Sequence, residues 1–425
     1  MLIVGLFAAV LLGYALVSRS LGTWSVTPQI FSLAAGLLFG LASTEITAGD
    51  LASEELRLVG EIALVLCLFT DASRIDIRSI RGTASLPSRL LLVGLPLTIA
   101  FGVAFALVLL PGVGLAAAFL LAVLLAPTDA GLGAAVVNDV RIPVRIRQAI
   151  NVESGLNDGL VTPLVLFAVA IEETESDGAG MDWIRFAVSE IGIGVVAGIV
   201  LGVVGAWLIR WARAHDHLSP SFRWAAAPAL AILAWAVTPM LGGNAFIAAF
   251  VAGMAATAAG GRMPDTFTEF GETAGELAGL AVFFLFGALV TLIDGYTIPV
   301  VAYAVLSLTV IRMLPVAVAL IRTRLSLPTV AFIGWFGPRG LASIVLALLA
   351  LGDGGSPHLA PGVAATVAVT VLLSVVLHGL SAGPLVTRYG QFTAGLPASA
   401  PELADTPELA TRRATGHASS TPSTS

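Results

Sequence analysis

The chain carries little charge, a single cysteine and no lysine. Charged residues make up 11% of its 425 residues, whereas soluble domains usually carry about 25%. This low share excludes an ordinary soluble domain and indicates a protein embedded in a membrane. Cys67 is the only cysteine, so an intramolecular disulfide is excluded. The net charge of −6 is modest, and nothing in the composition points to nucleic acid as a partner.

Long apolar stretches take the place of the missing charge. Hydrophobic residues make up 57% of the chain, and a membrane helix needs roughly 20 apolar residues. The first stretch follows Met1 without a basic region, so we interpret it as a retained span rather than a signal peptide. Charged, Gly and Pro clusters divide the chain into thirteen predicted spans, near residues 2–18, 27–43, 54–71, 88–110, 115–137, 149–171, 187–209, 224–240, 243–259, 275–293, 297–321, 328–351 and 361–386.

The arginines predict how these spans are oriented. Most of the 21 arginines fall in alternate loops or in the C-terminal tail, and positively charged loops stay in the cytoplasm. We therefore expect an all-α, multi-pass protein of the cell membrane with its N-terminus outside and its C-terminus inside. Residues 391–425 are rich in Ala, Ser, Thr and Pro, and they are expected to form a disordered cytoplasmic tail.

Two of the predicted spans contain a helix-breaking cluster near mid-depth. Residues 126–131 read Ala-Pro-Thr-Asp-Ala-Gly in span five, and residues 336–340 read Phe-Gly-Pro-Arg-Gly in span twelve. Interrupted helices in corresponding places of two halves are typical of transporters built from inverted repeats. Asp129 and Arg339 would then compensate the partial charges of the exposed helix ends. The alternative is that both prolines form simple kinks.

A polar face lies at the start of span six. On a helix with 100° per residue, four side chains fall within one arc; they are Glu153, Ser154, Asn157 and Asp158. Carboxylate, amide and hydroxyl oxygens suit hard cations, and Thr128 and Asp129 of span five could complete an oxygen cage. A carboxylate in such a pocket holds a proton or a cation but not both, which is the minimal requirement of an exchanger.

Glu153 is expected to have a structural role. An unpaired acid within the membrane is costly, and Arg312 lies inside span eleven with no acid near it in the sequence. A buried pair between Glu153 and Arg312 would satisfy both charges, although such pairs often add little net stability. Arg339 is the competing partner.

Three other polar residues inside spans are weaker signals. Glu61 of span three either lines an ion pathway or faces a water-filled crevice. Asp71 lies near the cytoplasmic end of the same span and is expected to be solvated. His378 of span thirteen is expected to be a packing histidine rather than a proton relay.

Taken together, these residues resemble the monovalent cation:proton antiporter-1 family, which includes the NhaP-type sodium/proton antiporters and the sodium/hydrogen exchangers. The resemblance covers roughly residues 1–390. Its motifs are Thr128-Asp129, Glu153-Ser154-x-x-Asn157-Asp158, Arg312 and Gly337-Pro338-Arg339-Gly340. It implies inverted repeats with two crossing interrupted helices, the NhaA-like antiporter fold. It also implies a homodimer, with dimerisation helices at about 2–71 and 187–293 and a mobile core at about 88–171 and 297–386. One departure is Ala130, where many relatives have proline.

The resemblance also implies a role for each residue. Asp158 is implied to be the main group that carries the cation and the proton. Its companions at the cation are Asp129, Thr128 and Ser154. The residues implied to support the site are Asn157, which orients it, Glu153, Arg312, Arg339 and Glu61. No cofactor is implied.

The leading hypothesis is a secondary active transporter, not an enzyme, that exchanges Na⁺ for H⁺, with Li⁺ as an additional substrate. The Asn-Asp pair is similar to that of the electroneutral branch of the family, which exchanges one cation for one proton. The runner-up is a K⁺/H⁺ antiporter, because the sequence shows neither cavity size nor ligand number. A membrane-embedded hydrolase using Asp129 and Asp158 is less favoured, since the Gly-x-Gly-Asp motif of aspartyl intramembrane proteases is absent. A cation channel would conduct without countertransported protons.

Overall fold

The structure, a computed structural model, describes residues 2–23, 25–43, 54–74, 85–177, 182–261, 265–350 and 361–406. Within these ranges the chain is helical and contains no strand. Eight of the described helices are long and apolar enough to cross a membrane by themselves, and the chain is a multi-pass membrane protein, as the sequence predicts. A helix or a pair of half-helices covers each predicted span, but the count of thirteen crossings and the orientation stay predictions.

The helices follow one another along the chain with short connections. They are α1 (Leu2–Thr23), α2 (Pro28–Ala42), α3 (Glu54–Arg74), α4 (Leu95–Leu109), α5 (Leu115–Leu124), α6 (Ala130–Val137), α7 (Val144–Asp177), α8 (Asp182–Ala214), α9 (Ala226–Val237), α10 (Ala245–Gly260), α11 (Asp265–Val290), α12 (Ile298–Leu308), α13 (Val310–Ala319), α14 (Leu327–Trp335), α15 (Leu341–Ala350) and α16 (Pro361–Ala394).

Spans five and twelve are each divided into two half-helices, as the Pro and Gly clusters predict. α5 ends at Leu124 and α6 begins at Ala130, while α14 ends at Trp335 and α15 begins at Leu341. A kinked helix continues through its proline, so simple kinks are ruled out. The backbone N–H and C=O groups between the half-helices have lost their helical partners and must bond elsewhere.

Two further irregularities were not predicted. A π-helical turn, Leu90–Gly94, joins Ser85–Arg89 to α4. Pro96 explains it, because the ring of this proline crowds the carbonyl four residues earlier and a wider turn relieves the clash. In span eleven, α12 and α13 are separated at Thr309, whose φ of −115° and ψ of −92° are not helical. Spans four and eleven therefore both depart from a regular α-helix.

Small residues bring α8 and α10 close together. Gly194, Gly198 and Gly202 recur at every fourth position and therefore share one face of α8. A methyl group at Gly198 would lie 2.7 Å from the carbonyl oxygen of Ala248, which is too close for any side chain. α2 packs on α11 in the same way through Gly36. Close backbone approach of this kind drives helix association in membranes, where the hydrophobic effect between helices is absent.

The start of the disordered tail was predicted wrongly. α16 continues to Ala394, and a 3₁₀ turn follows at Pro401–Leu403. The side chain of Glu402 in this turn is 2% exposed. Its Oε1 accepts hydrogen bonds from the Ser326 backbone N–H (2.8 Å) and the Thr329 hydroxyl (2.9 Å). Residues 391–406 therefore pack against the bundle at the start of α14, and the rest of the predicted tail lies outside the described residues.

Candidate functional site

Asp129 joins the two interrupted helices. Its Oδ1 accepts a hydrogen bond from the Leu132 N–H (3.0 Å) at the start of α6. Its Oδ2 accepts one from the Leu341 N–H (2.7 Å), the first residue of α15. The Asp129 backbone N–H donates to the Pro338 carbonyl oxygen (2.7 Å). One carboxylate thus satisfies the N-termini of two half-helices, where negative charge is favourable. This is the compensating role that the sequence predicts.

A buried polar cluster links the first break, which is residues 125–129 between α5 and α6, to α7. The hydroxyls of Thr128 and Ser154 lie 2.9 Å apart, and Asn157 Nδ2 donates to Thr128 Oγ1 at 2.5 Å. All three side chains are at most 3% exposed. The structure therefore brings together Thr128 and Ser154, two of the residues predicted to surround a cation, with Asn157, which is predicted to orient the site. The buried Oδ1 of Asn157 has no hydrogen-bond partner among the described residues.

Asp158 differs from the other polar residues of this face of α7 because part of the residue is exposed. Its residue is partly exposed, whereas Glu153, Ser154 and Asn157 are buried. The next residue, Gly159, lies directly on the ring of Phe250 of α10, where no larger residue would fit. Asp158 is partly exposed as a residue, although its Oδ1 is buried. It follows Asn157 directly and lies one helical turn after Ser154 on α7, an arrangement suited to exchanging a small ion.

Glu153 and Arg312 form a buried, bidentate ion pair. Arg312 Nη1 lies 2.6 Å from Glu153 Oε1, and Nη2 lies 2.9 Å from Oε2. Both residues are 2% exposed. Planar guanidinium and carboxylate groups match in this parallel geometry, which makes it one of the stronger hydrogen-bonding arrangements in proteins. The pairing predicted from the sequence is present.

Arg339 has a different partner from the one considered in the sequence analysis. Its side chain is fully buried, and its Nη1 donates to the backbone carbonyl of Gly337 at 2.7 Å. A positive charge here lies close to the C-terminal end of α14, where it is favourable. Arg339 therefore bonds to the backbone of the second break, which is residues 336–340 between α14 and α15. Arg312 neutralises Glu153.

The glycines of the second break make room for charged side chains. A methyl group at Gly337 would lie 2.5 Å from Nε of Arg312, and one at Gly340 would overlap the carboxylate of Asp129. The Gly-Pro-Arg-Gly motif therefore interrupts the helix and also lets two charged groups approach its backbone. Both breaks and the buried ion pair form one connected region.

Two acids of α3 have partners that sequence reasoning did not identify. Glu61 Oε1 lies 3.0 Å from Arg57 Nε, one helical turn away, so its role in an ion pathway stays a prediction. Asp71 is buried, at 7% exposure, and the prediction that it is solvated is wrong. Arg74, three residues later, approaches it at 3.9 Å and also pairs with Glu272 of α11. The spacing of Asp71 and Arg74 was the available signal.

Comparison with known proteins identifies the family. The family profile described as "Sodium/hydrogen exchanger, transmembrane" matches residues 6–388. A "K(+)/H(+) antiporter NhaP" of Alkalimonas amylolytica is 29% identical over 340 residues, which cover 77% of this chain and 56% of the relative. A "Na(+)/H(+) antiporter" of Schizosaccharomyces pombe is 25% identical over 268 residues, which cover 58% of this chain and 56% of the relative. The chain thus spans a little over half the length of these curated relatives.

The fold has a solved counterpart. The structure of the sodium proton antiporter MjNhaP1 from Methanocaldococcus jannaschii at pH 8 superposes with a TM-score of 0.73 and 20% sequence identity, covering 92% of this chain and 99% of that one. At this identity the likeness establishes the fold alone, so this chain shares the helical fold of that antiporter. Since the family profile extends over almost the whole chain, this protein belongs to the sodium/hydrogen exchanger family.

Proposed function

We propose that this protein is a secondary active antiporter that exchanges Na⁺ for H⁺ by alternating access, with the two ions competing at Asp158. The observation that carries the proposal is the contact of Thr128 with Ser154 and Asn157, which share one face of α7 with the partly exposed residue Asp158. Hydroxyl, amide and carboxylate oxygens are the donors that hard monovalent cations prefer. The names of the relatives from Alkalimonas amylolytica and Schizosaccharomyces pombe support cation/proton exchange as the reaction class.

The charges around the site support an exchange of one cation for one proton. Glu153 is neutralised by Arg312, and Asp129 accepts hydrogen bonds from two helix N-termini. We therefore assign the change of charge to Asp158 alone. A protonated Asp158 and an Asp158 carboxylate with a bound Na⁺ carry the same net charge, so the two loaded forms are electrically equivalent.

The proposed cycle has two half-reactions. On one side of the membrane Asp158 releases its proton, and its carboxylate binds a cation together with the oxygens of Thr128 and Ser154. The core then exposes the site to the other side, where a proton displaces the cation. Asn157 holds Thr128 in place through its 2.5 Å hydrogen bond. Burial of the three companions excludes bulk water, which strengthens the competition between the ions.

Inverted membrane vesicles test this assignment. After a pH gradient is formed, we expect added NaCl to dissipate it in vesicles that contain the parent protein. Asp158→Asn keeps the size of the side chain but removes the titrating group, so we expect the response to fall to that of empty vesicles. The matched control is Asp216→Asn, which makes the same change at an exposed residue outside the helices and is expected to leave exchange intact. Full activity of Asp158→Asn would overturn the assignment.

K⁺ is the second candidate cation, because the relative from Alkalimonas amylolytica is named as a K(+)/H(+) antiporter. The same vesicles report selectivity when NaCl, KCl and LiCl are titrated separately. A lower half-maximal concentration for KCl than for NaCl would replace the Na⁺ proposal with K⁺/H⁺ exchange and leave the role of Asp158 unchanged.

We also propose a homodimer, with the helices at about 2–71 and 187–293 forming the interface and those at about 88–171 and 297–386 forming the mobile core. The exposed apolar side chains of α1 and α8, such as Leu16 at 78% and Val196 at 62%, support an outer surface that meets lipid or a second copy. The native mass of the detergent-solubilised protein tests the proposal. We expect twice the 43.5 kDa of one chain, and a mass of one chain would contradict it.

A further inference from the structure

The second break leaves backbone groups that α16 satisfies with side chains. The carbonyl oxygen of Trp335, at the end of α14, lies 2.8 Å from His378 Nε2. The N–H of Arg339, just before α15, donates to the hydroxyl of Ser374 at 2.6 Å. Ser374 and His378 are at most 1% exposed. Two side chains, one turn apart on α16, thus contact the backbone on both sides of the interruption.

The direction of these hydrogen bonds follows from the donors available. Arg339 N–H donates to Ser374 Oγ, so the Ser374 hydroxyl proton can point to His378 Nδ1, which lies 3.3 Å away. The ring proton of neutral His378 is on Nε2, because the Trp335 carbonyl oxygen can only accept a hydrogen bond. Nδ1 also lies 2.9 Å from the Ser374 carbonyl oxygen, so a doubly protonated ring would keep the same position. The contact with Trp335 is therefore common to both charge states of the ring.

The indole ring of Trp335 attaches the end of α14 to the same part of α16. It stacks on His378 with 4.9 Å between ring centroids and 29° between planes. Its Nε1 donates to Ser381 Oγ at 2.9 Å. The end of α14 therefore has a fixed distance from α16, and the position of residues 336–340 follows from it.

The break in turn reaches the cation site through two backbone contacts. Pro338 accepts from the Asp129 N–H, and Leu341 donates to the Asp129 carboxylate, each at 2.7 Å. Asp129 is adjacent in sequence to Thr128, whose hydroxyl contacts Ser154. A displacement of the break by a fraction of an ångström moves the oxygens that bind the cation, and sites of this kind need positions held to within about 0.5 Å.

We propose that Ser374 and His378 are positioning residues for ion exchange, which act by holding the second break where Leu341 meets Asp129. The proposal rests on the proposed function for its transport readout. Among the described residues, no hydrogen bond joins Ser374 or His378 to the candidate cation ligands, so both act through the backbone of residues 335–341. The role differs from a proton relay, because the Nε2 bond to Trp335 does not depend on the charge of the ring.

Vesicle exchange with Ser374→Ala and His378→Gln tests the transport part. We expect the NaCl concentration for half-maximal exchange to rise about fivefold in Ser374→Ala, the factor that corresponds to about 1 kcal/mol for one lost hydrogen bond. We expect the maximal rate per folded protein to stay within twofold of the parent. The pH dependence of exchange is expected to be unchanged. Ser374→Thr keeps the hydroxyl and is expected to restore most of the apparent affinity.

The matched control is Thr370→Val, one turn earlier on α16. Thr370 is as buried as Ser374, but its hydroxyl donates only to the Thr366 carbonyl of its own helix (2.7 Å). We expect an unchanged half-maximal concentration in this variant. Equal values for Ser374→Ala and Thr370→Val would overturn the proposal, and so would a lower yield of folded protein with unchanged affinity. A pH profile shifted by His378→Gln would assign that residue to proton transfer instead.

A double-mutant cycle separates this proposal from the proposed function. Thermal unfolding of the detergent-solubilised parent, Ser374→Ala, Asp129→Asn and the double variant needs no transport. If Ser374 acts through the break on Asp129, the two shifts in unfolding midpoint are non-additive, whereas independent residues give additive shifts. Additivity would overturn the positioning role even if exchange is confirmed. Absence of exchange by the parent with Na⁺, K⁺ and Li⁺ would refute the proposed function and leave the cycle decisive.

Discussion

The breaks in the two interrupted helices carry opposite charges. The negative side chain bonds to two different half-helices, whereas the positive one bonds within its own break. At the first break, Asp129 is partly exposed and serves the N-termini of both α6 and α15. At the second break, Arg339 is fully buried and contacts the Gly337 carbonyl two residues away. The negative charge lies at helix N-termini and the positive charge near a helix C-terminus, so each compensates the partial charge of its helix ends.

This difference shows how a membrane bundle can interrupt two helices and still satisfy their backbones. The first break depends on one charged side chain with two neutral donors. The second depends on side chains from a neighbouring helix, Ser374 and His378, and on the space that Gly337 leaves for Arg312. Because both breaks are compensated internally, Asp158 is left to respond to the ions that the protein is proposed to carry.

The largest expected effect comes from removing one member of the ion pair beside the second break. Arg312→Met leaves the Glu153 carboxylate buried without its partner, which typically costs about 3–5 kcal/mol. We expect a large fall in the thermal unfolding midpoint and in the yield of folded protein. The double variant Glu153→Arg with Arg312→Glu is expected to recover part of the loss. As a control, Arg141→Gln removes half of the more exposed pair with Asp139, where about 0–1 kcal/mol is expected. Equal losses in Arg312→Met and Arg141→Gln would contradict the structural role of the buried pair.

An intermediate effect is expected where the two breaks touch. Gly340→Ala places a methyl group against the Asp129 carboxylate, and overpacking of this kind costs about 1–3 kcal/mol. We expect a lower unfolding midpoint together with weaker apparent cation affinity in vesicles. Gly133→Ala is the control, because a methyl group there meets nothing within 4 Å in the same half-helix that Asp129 caps. Similar behaviour of the two variants would show that the breaks are not coupled through Gly340.

The smallest effect concerns the start of α14, where the Glu402 carboxylate accepts a hydrogen bond from the Ser326 N–H. The strength of this contact depends on pH, because a carboxylate titrates. Burial acts to raise the pKa of Glu402, but hydrogen bonds from Ser326 and Thr329 outweigh it, and the pKa lies below its ordinary value of 4.5. A pKa lowered by folding means that the stabilisation is present above pH 4.5 and is lost as the pH falls through the folded-state value. Glu402→Gln is therefore expected to cost about 1 kcal/mol at neutral pH, and the difference from the parent disappears in acid.

Unfolding midpoints of the parent and of Glu402→Gln across pH 3–8 check this expectation. Asp405→Asn, three residues away and exposed, controls for the loss of one negative charge in the same segment. A parent-minus-variant difference that is the same at every pH would show that the Glu402 carboxylate contributes only packing.

Two kinds of feature in the site were predictable. One is a local sequence cluster that breaks a helix, and the other is a charged residue that needs a partner inside the membrane. Pro127 and Pro338 each lie in a cluster that also contains glycine and a charged residue, so both breaks could be read from the sequence. Proline alone is not sufficient, because Pro163, Pro315 and Pro384 lie inside continuous helices. Glu153 and Arg312 had to find partners inside the membrane, and the sequence offered few. Thr128 could be grouped with the polar face of α7, because hydroxyl, amide and carboxylate oxygens suit the same hard cation.

The parts that were missed depend on contacts between distant segments. Serine is common in membrane helices, so nothing marks Ser374 as the acceptor for an N–H at residue 339. Glu402 looks like an ordinary residue of a polar tail until the fold places the start of α14 beside it. The non-helical backbone at Thr309 carries neither proline nor glycine. Tertiary packing decided these features, and local sequence does not report it.

The shared use of Asp129 has a mechanical consequence. Because its two carboxylate oxygens are bonded to different half-helices, α6 and α15 cannot separate without breaking a charged hydrogen bond at the centre of the bundle. In the proposed alternating-access cycle we therefore expect α6 and α15 to move together. Under that proposal, the surfaces that slide lie between this pair of half-helices and the neighbouring helices, and the contact at Asp129 stays closed throughout the cycle.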